Sequence, residues 1–262
     1  QSAKLPFVTN PLLRGADGSY SIDFERFEAQ IVSERVSVFI LCNPQNPTGR
    51  VFTREELTRL AEICLRHKVL ICSDEIHCDI VYDGRQHIPI ASLDPEVANS
   101  TLTLMAPSKT YNIAGLYASV AVISNPELAR RFYEFKAGLV SGPDLLALTA
   151  ARAAYLHGET WLRDLLVYLQ GNRDFLADTL AKDFPGVEMH KPEGTFLAWL
   201  DCRGLDLPTE PQKFFQEHAK VGLNSGVDYG PEGLGFVRLN FGTQRALLQE
   251  ALERMAAALK TR

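Results

Sequence analysis

No CxxC pair, no basic block and no apolar run near the roughly 18 residues of a membrane helix occur in this 262-residue sequence. Its five cysteines, Cys42, Cys64, Cys72, Cys78 and Cys202, make no even set. A disulfide framework is therefore not expected, and free thiols in a reducing, cytoplasmic compartment are. His77, Cys78 and Asp79 are consecutive, and as strand neighbours they would point to opposite faces, so no metal site is expected. The opening stretch, QSAKLPFVTN, lacks the apolar core of a signal peptide. With a net charge of −5, no cationic face for nucleic acid is expected. No internal repeat is visible. Hydrophobic residues at 46% and charged residues at 23% are ordinary values for a globular chain of one or two domains. Disordered and low-complexity classes fall away.

What is present is an alternation of strand and helix signals. Val36 to Leu41 is a β-branched and aromatic run, ended by the turn-rich NPQNPTG of Asn43 to Gly49. Thr53-Arg54-Glu55-Glu56 reads as a capping box, with Leu57, Leu60, Ala61, Cys64 and Leu65 on one helical face behind it. Strands follow at Val69 to Cys72, Thr101 to Met105 and Val120 to Ile123. Continuous apolar strands between helices predict an α/β fold, a mainly parallel sheet covered on both faces. A helical stretch runs from Asp144 to about Lys182, interrupted at His157-Gly158-Glu159, with Trp161, Leu162, Leu165, Leu166 and Leu169 as its stripe. Beyond it lie strands at Thr195 to Leu200 and Val237 to Phe241, a short helix at Pro211 to Ala219, and a closing helix from Thr243 to Leu259. The expected face of that last helix carries Leu247, Leu248, Ala251, Leu252 and Met255. The expected division is a large domain over 1–143, a connecting helix over 144–182 and a smaller α/β or α+β domain over 183–262.

In a parallel sheet, ligands bind beyond the carboxyl ends of the strands. Asn46, Asp74 and Lys109 each follow a different predicted strand, so three polar loops meet at one edge. Lys109, in APSKTYNIAGL, has a plain alternative as a solvated surface lysine. In low-dielectric surroundings a lysine loses proton affinity and becomes a usable nucleophile or Schiff-base residue. Asp74, in ICSDE, could simply cap a helix. It could equally hold a ring nitrogen protonated, the partner that pyridoxal phosphate needs together with a Schiff-base lysine. Asn46 is at least a turn residue, and its amide could donate to a phenolic oxygen. Arg238, in FVRLNFG with Phe236 and Asn240 at period two, suits either a structural ion pair or bidentate recognition of a carboxylate.

In this order, NPQNPTG (43–49), SDEIH (73–77), SKTYNIAGL (108–116) and VRLNFG (237–242) resemble the fold-type-I pyridoxal-phosphate enzymes, the aspartate aminotransferase superfamily. The spacings are 28 residues from Asn46 to Asp74, 35 on to Lys109 and 129 on to Arg238. The resemblance covers nearly the whole chain. SDEIHCDIVYDGRQHIPIASL (73–93) and APSKTYNIAGL (106–116) are similar to the cystathionine β-lyase branch, where ordinary aminotransferases usually carry Tyr at the position of His77. The resemblance implies a large domain whose mainly parallel sheet is sandwiched by helices, with a smaller C-terminal α+β domain. It implies pyridoxal 5'-phosphate as cofactor, a small amino acid as substrate and a homodimer.

Carried over residue by residue, Lys109 bonds to the cofactor and moves the Cα proton. Asp74 pairs with the pyridine nitrogen. Asn46 donates to the phenolic oxygen, with His77 nearby. Ser108 contacts the phosphate, and Arg238 holds the substrate α-carboxylate. Many aminotransferases have a phosphate-binding Ser three residues before the lysine and Arg eight after it. Here those positions are Ala106 and Tyr117, more compatible with the lyase branch. Family chains begin well upstream of Gln1, with a Gly-rich turn on the phosphate and a stacking aromatic ring. A fragment, poor as a catalyst alone, is the expectation. The implied activity is β-elimination on a cysteine S-conjugate such as cystathionine. The alternatives are a class I/II aminotransferase and a cofactor-binding regulatory module.

Overall fold

The computed structural model describes residues 6–261, and the first elements after its opening coil are a short hairpin, β1 (Leu13–Arg14) against β2 (Tyr20–Ser21). Helix α1 (Phe24–Ser33) starts at Asp23, whose carboxylate accepts from the Arg26 N–H. Strand β3 (Val38–Cys42) leads to α2 (Arg54–Arg66), which opens with the expected capping box. The Glu56 N–H donates to Thr53 Oγ1 at 3.2 Å, and the Thr53 N–H donates to Glu56 Oε2 at 2.8 Å. Next come β4 (Leu70–Asp74), α3 (Pro95–Asn99), β5 (Thr101–Met105), α4 (Pro107–Thr110) and β6 (Val120–Ile123).

The four strands lie in the order β3-β4-β5-β6. β3, β4 and β5 are parallel, and β6 runs antiparallel to β5. Phe27 and Ile31 of α1 and Leu57, Leu60 and Cys64 of α2 pack on Leu41 and Ile71, forming one core. Each of the fully buried leucines contributes about 1.5–3 kcal/mol.

The two strand starts fall later than the sequence pattern suggests, for one reason. Arg35 and Lys68 take positive φ (53° and 57°) just past α1 and α2. The N–H groups of Val36 and Val69 then close back onto Ile31 and Cys64. These are Schellman closures built without glycine, and they consume the N–H groups that the strands would have used.

Ile40 is 72% exposed and Val38 is exposed beside it, on the face opposite α1 and α2. By register, Cys42 and Asp74 share that open face.

Helices α5 (Pro126–Lys136), α6 (Leu145–His157) and α7 (Glu159–Asp183) follow, with the break at Gly158 where the sequence places it. The second sheet is antiparallel, in the order β7-β8-β10-β9: β7 (Glu188–Met189), β8 (Leu197–Asp201), β9 (Asn224–Ser225) and β10 (Phe236–Asn240). Between β8 and β9, α8 (Pro211–Phe214) runs into a π turn at Phe215–Ala219. The last helix is α9 (Arg245–Lys260), whose Leu248, Leu252 and Met255 join Leu176 and Leu180 of α7 in a second core. Leu247 points away and is 54% exposed, and Trp161 at the start of the α7 stripe is exposed too.

The exit from β4 joins the two cores. Ile80 and Tyr82 are buried in the second core, and Val81 bridges Gly194. Arg173, wholly buried on α7, donates to both Asp83 oxygens (2.7 and 2.8 Å) and to the Pro192 carbonyl (3.1 Å), with its guanidinium 4.8 Å from the Tyr82 ring. Replacing it should leave a cavity and an unpaired carbonyl. Arg173→Met is expected to lower unfolding free energy by about 2–4 kcal/mol, read from the urea midpoint at unchanged slope. A midpoint equal to wild type would show that the pair does not hold the two halves together.

Candidate active site

The loop after β3 is fixed before any ligand is considered. The Asn43 side chain is buried and its Oδ1 accepts from the Phe52 N–H at 3.0 Å, while the Asn43 backbone N–H donates to the Asp74 carbonyl at 3.0 Å. Gln45 Oε1 accepts from the Thr48 N–H and hydroxyl. Gly49 has φ +73°, and a Cβ there would lie 2.3 Å from Pro192 Cβ, so only glycine lets this loop abut the 192–194 segment. Both Asn-Pro bonds, Asn43-Pro44 and Asn46-Pro47, are cis.

Asn46 leaves this loop toward the second sheet. Arg238, mid-strand in β10, donates from one terminal nitrogen to Asn46 Oδ1 at 2.8 Å and from the other to Asn224 Oδ1 at 2.9 Å. Its guanidinium also lies 4.9 Å from the Tyr229 ring. The Arg238 Nε is buried with no partner among the described residues. Asp74 is the last residue of β4, where its carboxylate accepts from the Ile76 N–H at 3.3 Å.

Three residues on, His77 is 4% exposed, with its ring edge-on to Phe196 at 5.7 Å between centroids and Nδ1 unpartnered. Burial pushes its pKa down to about 4, and the positive charges of Lys109 and Arg238 push the same way. The neighbouring thiol of Cys42 is pushed up to about 11 by burial, with the Asp74 charge adding to it, so it is no nucleophile near neutral pH.

Lys109 sits in the single turn of α4, directly after β5. The Thr110 hydroxyl donates to Asp79 at 2.8 Å, pinning that turn to the segment carrying His77. Among the described residues no carboxylate lies within ion-pair distance of Lys109. Ser108 is half-buried beside it, and its carbonyl accepts from the Ile113 N–H. Ala106 is buried just before the turn, and Tyr117 is 88% exposed.

Of the residues singled out in the sequence, the structure brings Asn46 onto Arg238 and sets Lys109 and Arg238 near His77, while no hydrogen bond joins Asp74 or Ser108 to them among the described residues. The Arg238–Asn46 bond spans 192 positions, and the charges of Lys109 and Arg238 both act on His77. Asn224, Tyr229 and Phe196 were not singled out. Their only signal was position, flanking β10 or opening β8, which is weak before pairing is known. A groove of about 690 Å³ along α7, lined by Leu162, Arg163, Leu166 and Gln170, contains none of these residues.

The model of the aminotransferase class I and II family matches residues 3–255. The chain belongs to that family. Cystathionine β-lyase PatB of Bacillus subtilis is 44% identical over 95% of this chain and 65% of its own length. Protein MalY of Escherichia coli is 37% identical over 95% of this chain and 64% of its own. The crystal structure of a PLP-bound C–S lyase from Staphylococcus hominis superposes with a TM-score of 0.90 at 36% identity, covering 96% of this chain and 66% of that one. The chain thus spans about 65% of the length of the curated relatives it matches. The fold is the α/β fold of this family, a mainly parallel sheet with helices. No described helix is long and apolar enough to cross a membrane.

The low His77 value fixes a sign for pH dependence. An imidazole held neutral by the fold favours folding above its unfolded value of about 6.5, and that contribution is lost as pH falls toward about 4. Between about pH 7 and pH 4, the protein should lose about 3 kcal/mol more stability than its His77→Gln variant, measured by urea unfolding at both pH values. Equal losses in the two proteins would mean that His77 is not buried as a neutral ring.

Proposed function

We propose that the complete protein is a pyridoxal 5'-phosphate-dependent carbon–sulfur β-lyase, acting on cystathionine or other cysteine S-conjugates and releasing thiol, pyruvate and ammonia. The observation that carries the reading is the Arg238–Asn46 hydrogen bond of 2.8 Å, which brings a carboxylate-binding arginine onto the loop motif of the other sheet. Two buried polar atoms without partners among the described residues, His77 Nδ1 and Arg238 Nε, argue for a polar ligand at this site. The donor set also fits a phosphorylated pyridine aldehyde, with an amine, a carboxylate, an amide and a hydroxyl on Lys109, Asp74, Asn46 and Ser108. The name borne by PatB supports the lyase over the aminotransferase, as do His77, Ala106 and Tyr117.

Each residue has a definite task. Lys109 would supply the amine that holds the cofactor's aldehyde carbon and the base that takes the substrate Cα proton. Asp74 keeps the pyridine nitrogen protonated. Asn46 presents its oxygen to Arg238, which leaves the amide N–H₂ to donate to the phenolic oxygen. Ser108 donates to the phosphate. Arg238 has two of its five N–H groups engaged by Asn46 and Asn224, and the others, Nε–H included, remain for the α-carboxylate. His77, held neutral, adds no third positive charge beside Lys109 and Arg238. The cofactor, when bound, supplies an electron sink for the pair left by the Cα–H bond. The thiolate then leaves from Cβ.

The large domain over 1–143, the connecting helix over 144–182 and the small domain over 183–262 are the proposed division, with the site between the outer two. A homodimer is supported by the exposed apolar band of Phe135, Leu139, Leu145, Leu146 and Val167 over α5 to α7. Five unpaired thiols suit a reducing cytoplasm.

With L-cystathionine and added cofactor, thiol and pyruvate release should exceed keto-acid-dependent transamination. Faster transamination would reverse the assignment in favour of an aminotransferase. Borohydride reduction followed by peptide mapping should place the label on Lys109, and label on Lys68 or Lys136 would sink that role. Asp74→Ala should cut turnover by ~10³-fold, about 4 kcal/mol of transition-state stabilisation, with part of the cofactor binding surviving. Near-normal turnover would remove Asp74 from the chemistry.

A further inference from the structure

Thr195 holds a backbone conformation that a β-branched residue rarely adopts, with φ +65° in the buried turn before β8. All three of its polar groups are satisfied there. Its N–H donates to the Ile80 carbonyl at 2.8 Å, its carbonyl accepts from the Tyr82 hydroxyl at 2.6 Å, and its Oγ1 accepts from the Leu197 N–H at 3.1 Å. Gly194 permits the approach, since a Cβ there would lie 2.8 Å from the Ile80 oxygen. Ile80 is itself tied to His77, donating its N–H to the His77 carbonyl at 2.9 Å. The next residue along from Thr195 is Phe196, whose ring meets the His77 ring. The contacts therefore close a loop: His77 to Ile80, Ile80 to Thr195, Thr195 to Phe196, and Phe196 back to His77. On its far side Phe196 is backed by Gly242, where a Cβ would crowd the ring at 3.1 Å, and its carbonyl accepts from the Phe241 N–H.

We infer that Thr195 is a positioning residue, held left-handed by Tyr82 and Ile80 so that Phe196 is pressed onto His77 and keeps water from that imidazole. Strained residues survive where their surroundings over-determine them, and such places cluster at functional sites. The charged groups bearing on His77 are Lys109 from α4 and Arg238 from β10. A Phe196 ring free to move would admit water between them and allow the imidazole to become a third cation. The inference deepens the proposed lyase site, since it specifies what keeps one wall of that site dry and neutral.

The test is the titration of the His77 imidazole by nitrogen-15 NMR in the protein without cofactor, its signal assigned by loss in His77→Gln. Thr195→Val keeps the branching and removes Oγ1, so the left-handed turn loses part of its support. The His77 midpoint, about 4 in the wild type, should rise by about a unit or more, a tenfold change in acid constant. Thr195→Gly is at ease at positive φ and should hold the midpoint near the wild-type value. Phe196→Leu should raise it. Should Thr195→Val not fold, Tyr82→Phe removes the hydroxyl on the Thr195 carbonyl and should move the midpoint in the same direction. A lowered melting temperature with an unmoved midpoint in Thr195→Val, or in Tyr82→Phe, would reduce Thr195 to a purely structural role and overturn the inference. A Gly variant that shifts His77 as far as the Val variant would overturn it as well. The titration needs neither cofactor nor substrate, so its outcome is separate from that of the lyase assay.

Discussion

Residues Ile80 to Asp83 are the strap on which the site depends. They leave the parallel sheet and enter the core of the antiparallel one, where Ile80 and Tyr82 are buried. Asp83 is gripped by Arg173 and Val81 pairs with Gly194. The strap begins only a few residues after Asp74 and His77. Any rotation of one sheet against the other would therefore drag those two residues away from Arg238. Arg50 adds a second tie from the other loop, pairing with Glu193 while also meeting Glu56 and the Tyr20 carbonyl. Two independent links thus hold the halves in register around the Arg238–Asn46 bond.

Electrostatics then selects what the edge between the sheets accepts. Lys109 and Arg238 bring two positive charges and Asp74 one negative charge, while His77 and Cys42 are both held in their neutral forms by burial. An excess of positive charge beside a single carboxylate suits a ligand with two anionic groups and one ring nitrogen. That is the charge pattern of the ligand proposed above, a phosphorylated pyridine joined to an amino acid. Were His77 charged, the repulsion among three cations would have to be balanced by the ligand alone, and the empty site would be harder to fold.

Much of the candidate site was legible in the sequence because it lies where β-strands end. Asn46, Asp74 and Lys109 could be placed from apolar runs followed by polar loops, and the Thr53 box and the break at Gly158 are local patterns. The helix closures at Arg35 and Lys68 were hidden because the usual glycine is absent at both. Burial of the sheet was hidden for a different reason. Val38 and Ile40 have the apolar identity of covered residues, and identity does not reveal whether anything lies over them. Asn224, Tyr229 and Phe196 act through contacts with residues far away in the chain, 14 positions for Asn224 to Arg238 but 119 for Phe196 to His77. No local pattern records such a distance.

The same molecule tolerates several local violations of good packing, and some of them lie near this edge. Among the described residues five buried side-chain polar atoms have no partner: Asn43 Nδ2, His77 Nδ1 and Arg238 Nε on the motif residues, and His87 Nδ1 and Thr103 Oγ1 outside them. Each such atom costs about 1–3 kcal/mol, and the left-handed Thr195 adds a further cost of about 1–3 kcal/mol. Those on Asn43, His77 and Arg238 lie beside one polar edge, between a strap fixed by Arg173 and a loop fixed by Gly49, which suits a site kept ready for a ligand. Groups that must bind something else cannot be satisfied by their own protein, so the fold accepts their cost and makes it up in the two apolar cores on either side.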